Sequence, residues 1–355
     1  MEESHPLHRS QPASKAIDRD DVIIPIIDFS GFPTGSPSDK QAIASSIVNA
    51  FQTSGFLYLK NHGILPTVVS QIFDSSARFF ARPRSEKDTV RWTTPQANRG
   101  YVSTGKEKLT LPDNADGTKA VREAVPDLKE TMEIGREGVE GFPNQWPDQI
   151  DDEGKAFKQV MMSFFETCKT LYIQIMRAIA LGMNLPEHFF DEFVDAGDCN
   201  LRLLHYPPVS KDVFQKNPDQ VRAGEHSDYG SITLLFQDSR GGLQVRSPRD
   251  TFVDVVPIPG TIVVNAGDLL ARWANDKIKS TRHRVVEPPK GVDDGIPDDP
   301  DIYPARYSIA YFCNPNMNAF IDALPGTYGE DINVPKKHSG IVTEDYLVQR
   351  LSATI

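Results

Sequence analysis

Positive charge is in deficit: 38 Lys and Arg face 49 Asp and Glu, for a formal net charge of −11. Such a balance repels polyphosphate and anionic lipid, so neither nucleic acid nor a membrane surface is an expected partner. Cysteine is scarce, and Cys168, Cys199 and Cys313 stand far apart without C-x-x-C spacing. An odd, scattered set excludes a disulfide framework and fits buried thiols in a reducing compartment. Long apolar runs are missing as well. Nothing approaches the ~18 residues of a membrane span, and residues 1–20 hold no signal-peptide core. There is no internal repeat, and the terminal SATI matches no address signal. The expected location is cytoplasmic.

What is there is an ordinary globular composition, 39% hydrophobic and 25% charged over 355 residues, enough for one compact unit with helical additions. The polar stretch 1–20 reads as a mobile tail. Residues 21–355 read as a single domain in three parts, 21–199, 200–315 and 316–355. In the first part, IIPIIDF (Ile23–Phe29) and GFLYLKNHG (Gly55–Gly63) read as strands, and Gln41–Ser54 and Pro66–Phe80 as helices. Phe157–Met183 is a third helix, from Met161, Phe164, Phe165, Cys168, Leu171, Tyr172 and Ile175 at helical spacing. Thr93–Asn144, rich in Gly, Pro and charge, reads as loop that could cover a pocket. From Asn200 the pattern becomes eight short runs split by turn residues: LRLLHYP, EHSDYG, SITLLFQ, GLQVR, FVDVVP, TIVVNAGD, STRHRVV and ARYSIAYF. Such spacing suggests a sandwich or barrel. An acidic loop between Pro288 and Pro304 interrupts the last two runs, and YLVQRLSATI at the end reads as helical.

His226-Ser-Asp228 is the only H-x-D in the chain. In an extended segment, side chains two apart share a face and can grip one ion. A third ligand is available in His283, within the strand-like STRHRVV. Two imidazoles and a carboxylate form a facial triad that suits Fe(II) and leaves open positions for other ligands. For any solitary histidine, a backbone-bonded core or surface residue is the commoner reading. Arg306-Tyr-Ser308 opens the strand ARYSIAYF and puts Arg306, Ser308, Ala310 and Phe312 on one face. A guanidinium inside a barrel needs an anion, so a carboxylate partner is expected. Arg350-Leu-Ser352 repeats the R-x-S spacing on the helical tail and reads as accidental.

The H-x-D, the distant His and the R-x-S, in that order, resemble the isopenicillin N synthase-like family of 2-oxoglutarate/Fe(II) oxygenases. VIIPIIDFS and FQTSGFLYLKNHGI extend the likeness to the front of the chain. WTTPQANRGY, RAGEHSDYGSITLLFQDSRGGLQV and RYSIAYFCNPN are most similar to the fungal thymine dioxygenases within that family. The resemblance implies an all-β core with flanking helices, a distorted double-stranded β-helix or jelly-roll. It implies Fe(II) on His226, Asp228 and His283, with 2-oxoglutarate held by Arg306, Ser308 and Tyr206. O2 and a small molecule are the remaining partners. Plant members have Asn where this chain has Leu204. The likeness places Arg202, Tyr229 and Phe312 around a pyrimidine, with Asn98 and Arg99 in a loop that could close over it.

Each pocket residue has a plainer reading. Arg202 shares a strand face with Leu204 and Tyr206 and could instead form a structural salt bridge. Phe312 could be a core aromatic, and Asn98 a solvated turn residue. Tyr229 starts on the face opposite Asp228 unless Gly230 bends the chain. Asn265 is expected to stabilise its turn. The rival to thymine is a fungal biosynthetic oxygenase acting on an aromatic polyketide-like scaffold. From a different class, the rivals are a metal-bearing jelly-roll that binds without turnover and a zinc hydrolase.

Overall fold

The computed structural model describes residues 14–106, 127–216, 220–287, 299 and 301–352. Its strands, in chain order, are β1 (Ser14–Arg19), β2 (Val22–Asp28), β3 (Phe56–Lys60), β4 (Gly100–Val102), β5 (Glu130–Gly135), β6 (Asn200–Tyr206), β7 (Val209–Ser210), β8 (Ala223–His226) and β9 (Ile232–Gln237). They continue with β10 (Leu243–Arg246), β11 (Phe252–Asp254), β12 (Thr261–Ala266), β13 (His283–Val285), β14 (Ile302–Tyr303), β15 (Arg306–Cys313), β16 (Phe320–Ile321) and β17 (Ile341–Val342). The helices that matter below are α1 (Pro37–Thr53), α2 (Pro66–Ala81), α3 (Asp152–Gly182), α4 (Asp268–Trp273) and α5 (Thr343–Ser352).

Nine strands pair in the order β1-β2-β3-β12-β9-β15-β6-β5-β4, and four in the order β11-β10-β13-β8. Alternation along each strand gives the large sheet two apolar faces. On one face, Ile262, Val264, Leu234 and Tyr311 pack with α1, α2 and α3 in the larger core. On the other, Val263, Leu204, Tyr206 and Ala310 meet Leu243, Val245 and Val285 of the small sheet. The site lies at this inner face.

All eight runs read after Asn200 form strands. With 34% helix and 25% strand, however, the chain as a whole is mixed, and the helices are a full layer rather than trimming. Helix α1 starts before Gln41 because Ser36 and Asp39 form a reciprocal capping box with Pro37 in the first turn. Helix α3 starts at Asp152, capped by the Asp151 carboxylate on Gly154 N–H.

Two expectations are corrected. Part of the tail, Ser14–Arg19, pairs with β2 as an edge strand, since Ile17 covers the inner core. The loop-rich stretch Thr93–Asn144 holds β4 and β5, and every residue of β5 is buried. Its sequence, ETMEIG, hides a buried strand because its polar residues have partners inside. Most of the acidic loop lies outside the described residues, and its exit β14 pairs with β7. The three cysteines are free and buried. No helix among the described residues is long and apolar enough to cross a membrane.

Candidate active site

His226 ends β8, His283 begins β13, and the two are cross-strand partners. Their ring centroids are 4.4 Å apart. Asp228 follows on the loop leaving β8, with Oδ1 3.8 Å from His226 Nε2 and 3.6 Å from His283 Nε2. The three ligand atoms lie within 4.8 Å of one another. Each Nδ1 is turned to a backbone carbonyl, His226 to Gly224 at 2.7 Å and His283 to Thr281 at 3.2 Å. That arrangement puts the proton on Nδ1 and leaves both Nε2 lone pairs aimed at one point. The donor set fits a divalent first-row metal with open positions.

Asp228 is fixed from the opposite sheet. Asn265 Nδ2 donates to its Oδ2 at 2.7 Å, and Thr233 Oγ1 donates to the same oxygen. Burial pushes the Asp228 carboxyl up, but His283, His226 and these donors hold it below its usual range. His226 is held down at about 4 by burial and by His283, although part of its ring edge remains open. Both groups are therefore in metal-binding form at neutral pH. The ligand loop lies against the β12–α4 turn, where Asp268 N–H donates to Asp228 O at 2.8 Å. A Cβ on Gly267 would come within 2.4 Å of Gly230 O, so the approach needs glycine there.

Arg306 is 1% exposed at the start of β15. It donates to Gly241 O at 2.6 Å, Ser308 Oγ at 3.1 Å and Gln237 Oε1 at 3.4 Å, and lies 4.9 Å from the centre of the Tyr206 ring. These acceptors are neutral. Asp238 senses the charge, but its acceptors go to the backbone N–H groups of Tyr307 and Arg240. Arg222, fully buried, donates to Tyr206 O and Pro304 O; burial, and then Arg306, pull it down to about 10. Two buried guanidinium groups that repel each other, and whose hydrogen bonds among the described residues go to neutral acceptors, fit an incoming dianion such as 2-oxoglutarate.

Farther along the same face, Arg202 on β6 is paired with Ala310 on β15, and its guanidinium stands 5.2 Å from the centre of the Phe312 ring. Asn98 has a left-handed backbone, φ 45°. Its Oδ1 accepts from Trp92 Nε1 at 3.0 Å, and its carbonyl accepts from Asn200 Nδ2 at 3.1 Å. Arg99 donates to Ala97 O and Asn98 O and so braces this turn. Tyr229 packs against the helix-side core, with Arg350 of α5 4.5 Å from its ring centre. Sequence reasoning missed Glu133, whose Oε1 is 2.6 Å from Arg202 Nε. It also missed Asp268, which accepts from Ser280 and Tyr346 and pairs with Arg350. A lone acid in a charged stretch gives no sequence signal for either role.

Residues 24–149 match the family described as non-haem dioxygenase in morphine synthesis N-terminal, and residues 197–315 match the 2OG-Fe(II) oxygenase superfamily. The chain is 34% identical to the 2-oxoglutarate-Fe(II) type oxidoreductase ppzD of Metarhizium rileyi, covering 92% of this chain and 90% of that protein. Among solved structures, a full-length Neurospora crassa protein in complex with alpha-KG and thymine is 54% identical with a TM-score of 0.85, covering 96% of this chain and 99% of that one. The same Neurospora protein with alpha-KG and 5-formyluracil gives 52% and 0.84, covering 96% and 99%.

Proposed function

Because the chain belongs to the 2OG-Fe(II) oxygenase superfamily, and is thus an enzyme using Fe(II) and 2-oxoglutarate, we propose that it oxidises the methyl group of free thymine. The observation that carries this reading is Arg202 beside Phe312, a donor fork next to a flat ring, in a chain 54% identical to a protein solved with thymine.

In this reading His226, Asp228 and His283 hold the iron. Bound there, the metal supplies C–H oxidation coupled to decarboxylation of 2-oxoglutarate to succinate. Arg306 and Ser308 bind the distal carboxylate of 2-oxoglutarate, and Tyr206 flanks it. Leu204, opposite Ser308 across β6 and β15, contributes an apolar wall rather than a hydrogen bond. Phe312 offers its face to the pyrimidine, and Arg202 donates to a ring carbonyl. Asn98, with its amide oxygen tied to Trp92, offers its N–H groups to the second carbonyl, and Tyr229, half-buried on the ligand loop beside Arg350, borders the pocket from the helix side. The apolar inner face keeps water from the reacting methyl.

The two facing sheets are read as a distorted double-stranded β-helix inside one domain spanning 21–355. The net charge of −11 favours the free base over thymine within a polynucleotide. The test is to titrate thymine into the anaerobic protein with Fe(II) and 2-oxoglutarate, following the metal-to-ligand absorption. Thymine should perturb the band. A response to phenolic or polyketide scaffolds, with none to thymine, would favour the biosynthetic reading instead.

A further inference from the structure

Glu133 is wholly buried, and a carboxylate so placed is costly unless paired. Its partner is Arg202, directly across the β5–β6 ladder. Glu133 Oε1 lies 2.6 Å from Arg202 Nε and accepts from Thr131 Oγ1 at 2.9 Å. The side chain of Arg202 is 20% exposed and that of Glu133 1%. The cation is thus the more accessible of the two, lying over the Phe312 ring, with the anion buried on its β5 side. Adjacent strands β5, β6 and β15 present Glu133, Arg202 and Phe312 on one continuous face.

Of the charges nearby, Arg99 also lies within reach of Glu133, and the others have partners of their own. Arg99 senses Glu133, Asp198 and Glu137 and is opposed by Arg136, and Arg136 is itself paired with Asp198 at 2.8 Å. Lys129, lower on the same side, is paired with Asp127. With Glu133 ionised, Arg202 therefore presents hydrogen-bond donors but little net field. An uncharged acceptor keeps those donors. A carboxylate in the same place would gain Arg202 but face Glu133 across it, and would lose its hydration.

We propose that Glu133 determines substrate charge: by neutralising Arg202 from behind, it admits uncharged planar molecules with carbonyl acceptors and rejects carboxylates of similar shape. Discrimination of this kind comes from a repulsive element as much as an attractive one. The inference rests on the reading of Arg202 and Phe312 as substrate contacts.

The experiment uses the full chain with Fe(II) and 2-oxoglutarate, without oxygen, titrated with thymine and with 4-methylbenzoate, a flat anion with a methyl group opposite its carboxylate. Wild type should bind thymine and bind 4-methylbenzoate weakly or not at all. In Glu133→Gln the preference for thymine over 4-methylbenzoate should fall at least about tenfold, whereas Glu133→Asp, which keeps the charge, should retain it. The double variant Glu133→Gln, Arg202→Gln removes both members of the buried pair, so it does not strand Arg202 without its anion as Glu133→Gln alone does. It should again disfavour the anion. Unchanged preference in Glu133→Gln while wild type responds to thymine overturns this inference alone, as does equal loss of preference in Glu133→Gln and Glu133→Asp. A double variant that binds the anion as well as it binds thymine also overturns it. A wild type blind to thymine overturns the thymine reading and this inference with it.

Discussion

Asn265 Nδ2 donates to Asp228 Oδ2 across 2.7 Å, joining the middle of the nine-stranded sheet to a loop that leaves the four-stranded one. The bond turns Asp228 Oδ1 toward both histidines. Residues that orient a metal ligand are worth roughly 10- to 100-fold in affinity, so Asn265→Ala should weaken Fe(II) binding by about that factor without unfolding the protein. His226→Ala and His283→Ala, which remove ligands outright, should abolish binding. Isothermal titration with Fe(II) under nitrogen separates the three. Wild-type affinity in Asn265→Ala would make the amide merely structural.

Arg306 is buried against neutral acceptors, so its charge is available to a carboxylate. A charge-assisted pair is worth about 1.5–3 kcal/mol, so Arg306→Ala should raise the dissociation constant for 2-oxoglutarate roughly 10- to 150-fold. Ser308→Ala should cost less. Anaerobic titration of 2-oxoglutarate reads this directly, and an unchanged constant for Arg306→Ala would move the co-substrate elsewhere.

Arg350 was expected to be a bystander on the tail, but its guanidinium lies 4.5 Å from the Tyr229 ring centre and 3.6 Å from Asp268. Removing a partly exposed cation–π contact of about 0.5–1 kcal/mol should raise KM for the prime substrate about 2- to 5-fold, leaving KM for 2-oxoglutarate unchanged. Steady-state kinetics of Arg350→Ala decides it. An effect confined to 2-oxoglutarate would mean that the second R-x-S, not the first, serves the co-substrate.

Glu130 ties Lys87, Tyr101 and His205 together behind β6. Burial alone would raise its carboxyl, but donors from His205, Tyr101 and Lys87 outweigh it and hold it below the ordinary range. A depressed folded-state value stabilises above the unfolded-state value and is lost as pH falls through the folded one. Glu130→Gln leaves Lys87 buried without its anion, which should cost about 3 kcal/mol near pH 7. That gap should narrow as pH drops below about 4. Urea unfolding across pH checks it, and a gap that stays constant to low pH would remove Glu130 as its source.

The legible part of this protein was the part written as local pattern. His226 and Asp228 two apart, and Arg306, Ser308 and Phe312 along one strand, follow from side-chain alternation: β8 ends on His226 just before Asp228, β13 begins on His283, and β15 carries Arg306, Ser308 and Phe312. What stayed hidden depends on pairing between distant strands. Glu133 lies in a stretch whose charge mimics loop, and only register against Arg202 shows why a buried acid is tolerated. Asn265 looked like a turn residue because nothing in VVNAGD shows that Asp228 crosses to meet it. Asp268 and Arg350 come together through the packing of α4 and α5, which no spacing encodes.

Turnover with free thymine in the presence of Fe(II), 2-oxoglutarate and oxygen, measuring succinate and oxidised pyrimidine together, decides whether this protein oxidises the thymine methyl group. Thymine should accelerate succinate release, a hydroxymethyl product should appear in step with succinate, and both should vanish in His226→Ala. Thymine recovered unchanged, with succinate released no faster than in its absence, would contradict that activity.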